Sequence, residues 1–238
     1  MKDFCIIGSG ISGSTIAHIL SKKYSLDVYD KARGVGGRSS NKKFNKNESF
    51  DHGVQYISPK TKQFKKFIEN LEKKNVLKLW NGNHLDFTFN NKDQIKRYIG
   101  KKANNDICKY QIKKIKQNYL SQIVKITDKK KFWEVLLKNK SIYKFKSIIL
   151  TCPYPQLKKL AKNYLDKKVL NLNIKMKPNI TVMLAIKNHK NLPISSIKFN
   201  DNILAWAANE NSKMRFKSDK ILWTLQCTET FSKKIINL

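Results

Sequence analysis

Short apolar runs bounded by glycine and polar residues open the chain, and they read as buried strands. Asp3-Phe-Cys-Ile-Ile7 is the first. Gly8 to Gly13 follows as a turn, and Ser14 to Lys22 then carries Ile16, Ala17, Ile19 and Leu20 at helical spacing. Leu26 to Asp30 is a second strand, ending in an acid. Strand, helix and strand make a βαβ unit, and such units build parallel sheets. Further on, Thr61 to Lys74 predicts a lysine-faced helix with Phe64, Phe67, Ile68 and Leu71 inward. Trp80 to Phe89 predicts strands around an Asn81-Gly82 turn, and Asp93 to Lys116 a helix interrupted by Gly100. Three runs, Ser121–Thr127, Phe132–Leu137 and Ser141–Lys146, predict a meander. Ser147 to Thr151 is another buried strand, stopped by Pro153, and Gln156 to Leu165 a short amphipathic helix. Strand-like runs return at Ile180–Ile186, Ile203–Ala208 and Ile221–Cys227.

The length, 238 residues, allows one large domain or two small ones around a real core. No run of eighteen apolar residues occurs, and the start of the chain lacks a leader pattern, so a cytoplasmic protein without a membrane span is expected. The four cysteines show no C-x-x-C pair and read as reduced thiols. The formal charge of +32 invites a nucleic-acid reading. Against it, only four basic residues are arginine (Arg33, Arg38, Arg97 and Arg215), the side chain on which base readout leans. Lysine, asparagine and isoleucine, which share A/T-rich codons, are inflated together along the whole chain. A biased genome accounts for that, leaving no specific nucleic-acid partner and only a loose, salt-sensitive attraction to polyanions.

Of nine glycines, seven lie within the first 53 residues. Gly8-Ser9-Gly10-Ile11-Ser12-Gly13 is G-x-G-x-x-G, placed after a strand and at the start of a helix. In this arrangement Gly8 permits the turn, Gly10 the approach of a pyrophosphate, and Gly13 close helix–strand packing. Asp30, closing the second strand, suits a carboxylate that accepts both hydroxyls of an adenosine ribose, and it disfavours a 2′-phosphate there. The spacing points to a Rossmann-type dinucleotide site but does not choose between NAD and FAD.

The residues that follow, Lys31-Ala-Arg33-Gly34-Val-Gly36-Gly37-Arg38, resemble the second half of the FAD signature in flavoproteins of the amine-oxidase and glutathione-reductase type. Ser49-Phe-Asp51-His52-Gly53-Val54-Gln55-Tyr-Ile57 resembles the Phe-Asp-His-Gly-x-Gln-Tyr segment of bacterial renalase-like flavoproteins, a branch of the amine-oxidase superfamily. Looser similarity continues at Arg97-Tyr-Ile-Gly100, from Val124 to Leu136, at Leu150-Thr-Cys-Pro-Tyr-Pro-Gln156, and from Trp223 to Ser232. The resemblance implies an α/β fold: a Rossmann-like FAD-binding domain of that type with a β-meander and an inserted mixed α+β substrate domain. It implies FAD as cofactor, held by Gly8 to Gly13, Asp30, Lys31, Arg33, Gly37, Arg38 and Asp51 to Val54. Val124 is expected near adenine, and Thr151, Cys152 and Pro153 near the ADP half. The expected FAD-binding domain is residues 1–57 with 121–165, and the substrate segments are 58–120 and 166–238. Two departures stand out. Lys101-Lys-Ala-Asn replaces the family's Pro-Gly-Met, and no Gly-Asp motif follows residue 151. The latter leads to the expectation of a fragment or short form whose flavin ring is open and whose FAD is easily lost.

The implied reaction removes a hydride from an amine or dihydronicotinamide-type donor, with O₂ as acceptor. No catalytic triad or metal-ligand spacing is evident. His52, inside the motif, is the weak catalytic candidate; His18 reads as structural, and His84 and His189 as solvated. Trp206, Trp223 and Phe231 read as core aromatics in strands, with a substrate-pocket wall as the alternative. Two other functions stay open: a non-catalytic FAD- or nucleotide-binding protein, and a basic polyanion binder on a Rossmann scaffold.

Overall fold

The computed structural model describes residues 1–88, 91–92, 95–187 and 192–236. His189 lies outside them. The chain divides into two compact units, residues 1–37 with 108–175 and residues 38–107 with 176–238. Both differ from the sequence boundaries for a local reason. Residues 108–120 join the first unit because strand Gln117–Asn118 pairs with Leu26–Tyr29. Residues 38–57 join the second, where strand Ser49–Phe50 lies against Lys220–Cys227.

The first unit is built on a six-stranded sheet. Strand Lys2–Ile7 runs parallel to Leu26–Tyr29 on one side and to Ile142–Leu150 on the other, with Phe4 opposite Ser147. The predicted meander continues this sheet: Ile123–Asp128, Trp133–Leu137 and Ile142–Leu150 are antiparallel neighbours. Its last strand and the run Ser147–Leu150 are one element of nine residues, because Lys144 and Lys146 reach solvent while Phe145 turns inward. Cys5, Tyr29, Ile126, Val135, Leu137, Phe145 and Ala161 form the core. Each large side chain so buried contributes roughly 1.5–3 kcal/mol.

The crossover helix is Ile11–Leu20, and here the sequence pattern misleads. The buried face is Gly13, Ser14 and Ala17, while Ile16 is 36% and Ile19 57% exposed. Small residues win because helix and strand approach too closely for branched ones. A Cβ on Gly13 would lie 2.0 Å from the Gly8 carbonyl oxygen.

The second unit holds another six-stranded sheet, in the order Thr181–Lys187, Lys220–Cys227, Leu204–Asn209, Ser196–Lys198, His84–Asp86 and Asn91–Lys92. Helix Lys62–Lys73 forms as its periodicity predicts, capped by the Thr61 hydroxyl, which accepts from the Phe64 N–H. Ile68 and Leu71 are buried, but Phe64 is 37% exposed.

Two predicted elements differ. Leu77–Leu79 and His84–Asp86 do not pair around Asn81-Gly82; the first pairs with Tyr98–Gly100 and the second with Ser196–Lys198. Asp93–Lys116 is not one helix. Tyr98–Gly100 is a strand, and among the described residues of this stretch only Asp106–Ile112 is an α-helix. At Gly100 the chain turns so tightly that a Cβ would sit 1.7 Å from the Ala103 carbonyl oxygen. Phe231 belongs to helix Glu229–Ile236 and not to a strand. No helix among the described residues is long and apolar enough to cross a membrane.

Candidate functional site: a glycine turn and a buried charge cluster

In the first unit Gly8 to Gly13, Asp30 and Thr151 lie at the end of strand Lys2–Ile7. Gly8, at φ +107°, turns the chain out of the strand, a conformation that side chains strain to adopt. Thr151 locks the turn. Its N–H donates to the Ile7 carbonyl at 3.0 Å, and its hydroxyl hydrogen is shared between the carbonyls of Ile7 and Gly8 at 3.0 and 3.1 Å. Thr151 therefore acts on the turn itself, its hydroxyl being occupied within the protein.

A second glycine turn lies against the first. Gly36 and Gly37 both have positive φ, +129° and +53°, and the Gly36 N–H donates to the Ser9 carbonyl at 3.0 Å. A Cβ on Gly37 would stand 3.3 Å from the Gly10 Cα. Gly34 is different: nothing lies within 4 Å of a Cβ there.

Gly10 is the informative position. It caps helix Ile11–Leu20 with no side-chain hydrogen bond, so the first-turn N–H groups of Ile11, Ser12 and Gly13 are left without a capping side chain. A Cβ on Gly10 would meet no protein atom closer than 3.9 Å. Packing explains glycine at positions 8 and 13; it does not explain it at 10. Room beside an uncapped helix N-terminus suits an anion that approaches the backbone.

Asp30 closes the same corner. Its Oδ2 accepts from the Ser9 N–H at 2.7 Å and the Ser9 hydroxyl at 2.6 Å, and its Oδ1 from the Ala32 N–H at 2.8 Å. A carboxylate offers about four acceptor positions, so one is left for a ligand hydroxyl where the sequence reading expected two. Lys31 and Arg33 are exposed nearby in sequence. Cys152 and Pro153 are half-buried after Thr151; burial pushes the Cys152 thiol up, so it stays protonated at neutral pH. Val124 is 45% exposed on the outermost strand of the meander, and no strand pairing brings it to the glycine turn.

Arg38 and Asp51 to Val54 fall in the second unit. Gly53 packs on the Arg38 backbone: a Cβ would lie 2.0 Å from the Arg38 carbonyl oxygen, which accepts the Val54 N–H at 2.9 Å. The Arg38 side chain is exposed.

Asp51 corrects the sequence reading. It is fully buried, and both oxygens are taken. Oδ1 accepts from the Asn104 N–H at 3.0 Å and Asn41 Nδ2 at 3.1 Å. Oδ2 accepts from Lys213 Nζ at 3.0 Å and from Arg215. No acceptor position remains for a cofactor. Lys213 also reaches Gln55 Oε1 at 3.3 Å and Glu210 at 2.9 Å, and its side chain is wholly buried. Burial pushes the Asp51 carboxyl up, but Lys213 and Arg215 outweigh it and hold it well below the usual range. Burial raises Glu210, with Lys213 opposing.

Lys213, Arg215 and Glu210 escaped the sequence reading. The signal available was arginine itself, kept at four places in a lysine-rich chain; two of the four, Arg97 and Arg215, are buried.

His52 is half-buried, and its ring makes no hydrogen bond among the described residues. His18, as expected, is structural, its ring bonded to the Gln111 carbonyl at 3.1 Å. His84 is not solvated: it is buried, with Ser196 Oγ at 2.7 Å and the Trp80 carbonyl at 3.1 Å. Trp206 packs on Tyr56 with ring centroids 5.5 Å apart, beside the Trp80, Ile99 and Ala208 core.

With this geometry in view, residues 6–71 match the NAD(P)-binding Rossmann-like domain family. Renalase of Mus musculus is 27% identical over 173 residues, covering 67% of this chain and 49% of that protein. In sequence the chain is thus similar to renalase, and through residues 6–71 to NAD(P)-binding Rossmann-like domains. It spans about half the length of the curated relative it matches. Among solved structures, a putrescine oxidase redesigned in cofactor binding superposes with a TM-score of 0.73 at 11% identity, over 100% of this chain and 77% of that one. A tetracycline destructase gives 0.58 at 14% identity, over 95% and 56%. At these identities the likeness is one of fold, and it supports the Rossmann-like α/β architecture of the chain.

Proposed function

We propose that this renalase-like chain binds FAD and serves as an FAD-dependent oxidoreductase that takes a hydride from a small donor, an amine or a dihydronicotinamide, with O₂ as the electron acceptor. The observation that carries this reading is the room at Gly10 beside an uncapped helix N-terminus. The residues present fit the ADP half of the cofactor. Backbone N–H groups of Ile11 to Gly13 would meet the diphosphate, Asp30 a ribose hydroxyl, and Lys31 and Arg33 would add charge toward the phosphates. Thr151 keeps Gly8 in the turn that this requires. In this reading residues 1–37 with 108–175 bind the nucleotide, and residues 38–107 with 176–238 face the substrate.

Bound FAD supplies the redox chemistry by accepting the hydride. The chain's own part is to bind, orient and exclude water. His52, whose ring makes no hydrogen bond among the described residues, is the side chain suited to polarise a donor. The acidic residue preceding it acts differently: Asp51 holds structure from within.

A second reading is a nucleotide-binding protein without turnover. A third, polyanion binding, rests on the charge of +32. The visible spectrum of the purified chain separates them. Flavin bands that bleach anaerobically with a candidate donor and return with O₂ support the first. Bands that no donor bleaches favour the second, and salt-sensitive retention of RNA without flavin the third.

A further inference from the structure

The sheet of the second unit has two unlike edges. One is Asn91–Lys92, a strand of only two residues. Very short edge strands give little template for further pairing. The other is Thr181–Lys187, seven residues long and paired only with Lys220–Cys227 among the described residues. Its register runs unbroken from Thr181 opposite Gln226 to Lys187 opposite Lys220, without a bulge. No proline or charge interrupts Val182 to Ile186. Val182 is 45% exposed, and Met183 and Leu184 40%, so apolar side chains reach solvent on both faces of the strand. An edge this long and apolar lacks the devices that normally discourage pairing with another chain.

One bond sets the phase of this edge. The Cys227 N–H donates to the Ile180 carbonyl at 2.9 Å, just ahead of the strand. Bonded and non-bonded positions alternate along an antiparallel pair. Val182, Leu184 and Ile186 therefore bond to Lys220–Cys227, and the N–H and C=O groups of Met183 and Ala185 point to the open edge. Both ends of the edge carry surplus positive charge. At the start, Lys177 and Lys233 share the Glu229 carboxylate at 2.7 and 2.6 Å. Helix Glu229–Ile236 is tied there by the Ser232 hydroxyl, which accepts the Ile180 N–H at 3.0 Å. At the finish, Lys187 stands opposite Lys220, and Asp219, bonded to Lys220 at 2.7 Å, is the acid beside both.

We propose that the Thr181–Lys187 edge is a docking site for an extended acidic polypeptide, which adds a strand to the sheet through the outward groups of Met183 and Ala185. The edge dictates the partner's chemistry. About five uncharged, β-favouring residues match Val182 to Ile186, and an acidic residue at each end meets a lysine pair. Main-chain bonds hold the partner, and the lysine pairs select it. A second copy of this chain fits less well, because each copy carries a formal charge of +32, which opposes self-association.

The test titrates the full chain with a fluorescent peptide, Glu-Asp-Val-Thr-Ile-Thr-Val-Asp-Glu, and with a second in which lysines replace the four acids. The acidic peptide should bind with a Kd of about 100 µM or tighter at low salt, and at least about tenfold tighter than the lysine form. Raising the salt to about 0.5 M should weaken it at least about fivefold. Once bound, it should slow hydrogen exchange of the Met183 and Ala185 N–H groups at least about tenfold. Met183→Pro removes an outward donor and no bond to Lys220–Cys227, and it should abolish binding. Should that variant unfold, Lys177→Gln with Lys187→Gln, both at exposed positions, should weaken the acidic peptide about fivefold. No binding overturns the proposal, and so does binding without slowed exchange at 183 and 185. Equal binding of the two peptides overturns the charge selection. A dimer of the peptide-free chain in sedimentation, tightening as salt rises and lost in Met183→Pro, would give the edge to a second copy and overturn the acidic partner.

Discussion

Gly10 and Gly13 sit three residues apart in one turn, yet alanine should affect them in opposite ways. At Gly13 a Cβ would lie 2.0 Å from the Gly8 carbonyl oxygen and 2.7 Å from Thr151 Oγ1. The first neighbour is backbone and cannot swing aside. Overpacking costs about 1–3 kcal/mol, and a clash this short belongs at the upper end, about 3 kcal/mol. For a chain of this size that lowers Tm by about 6–12 °C. At Gly10 the same methyl meets nothing nearer than 3.9 Å, so stability should change by no more than about 1 kcal/mol, the scale of an N-cap replacement. FAD affinity should nevertheless fall by about tenfold or more, because the methyl occupies space reserved for the diphosphate. Thermal unfolding and fluorescence titration with FAD, run on both variants, make the comparison. If Gly10→Ala loses as much stability as Gly13→Ala, the room at Gly10 is not there. If it is stable and binds FAD as the wild type does, that room is not the diphosphate site.

Thr151→Val removes a hydroxyl that holds the Ile7 and Gly8 carbonyls; it should cost about 1 kcal/mol, or about 2–4 °C, and an unchanged Tm would show that the lock is dispensable. His52→Ala should leave FAD affinity within about twofold and lower donor turnover, since its ring makes no hydrogen bond among the described residues; undiminished turnover would remove His52 from the chemistry. The buried carboxyls give opposite pH trends. Glu210, raised by burial, favours the folded state increasingly as pH falls from neutrality toward its ordinary value of 4.5. Asp51, held low by Lys213 and Arg215 against its burial, withdraws stability once pH drops below its ordinary value of 3.8. Urea midpoints should therefore rise and then fall on acidification, and Glu210→Gln should abolish the rise; an identical rise in that variant would assign it to another group.

Much of the first unit was legible because its signals are local. The strand Lys2–Ile7, the glycine turn and the acid at position 30 lie within one βαβ unit, and the meander has turns of a few residues. The buried face of helix Ile11–Leu20 was misjudged because apolar spacing points to Ile16 and Ile19, whereas the fit to the strand admits only Gly13, Ser14 and Ala17. In the second unit the decisive contacts are distant. Asp51 meets Lys213 across 162 positions, and His84 meets Ser196 across 112. No periodicity encodes such pairs. Among so many lysines, nothing local marked Lys213 as buried, and the polar neighbours of His84, Asn81 and Asn83, disguised a strand that pairs far along the chain. The motif around Asp51 was visible, but its role was not. A carboxylate whose four donors come from Asn41, Asn104, Lys213 and Arg215 is recognisable only once those residues are brought together.

The most direct measurement is equilibrium dialysis of the full chain against FAD, with ADP as competitor. Because the glycine turn and Asp30 are assigned to the ADP half, one FAD should bind per chain and ADP should displace it in a single competitive step. FAD that stays bound under saturating ADP, or no uptake of FAD at all, would contradict the assignment.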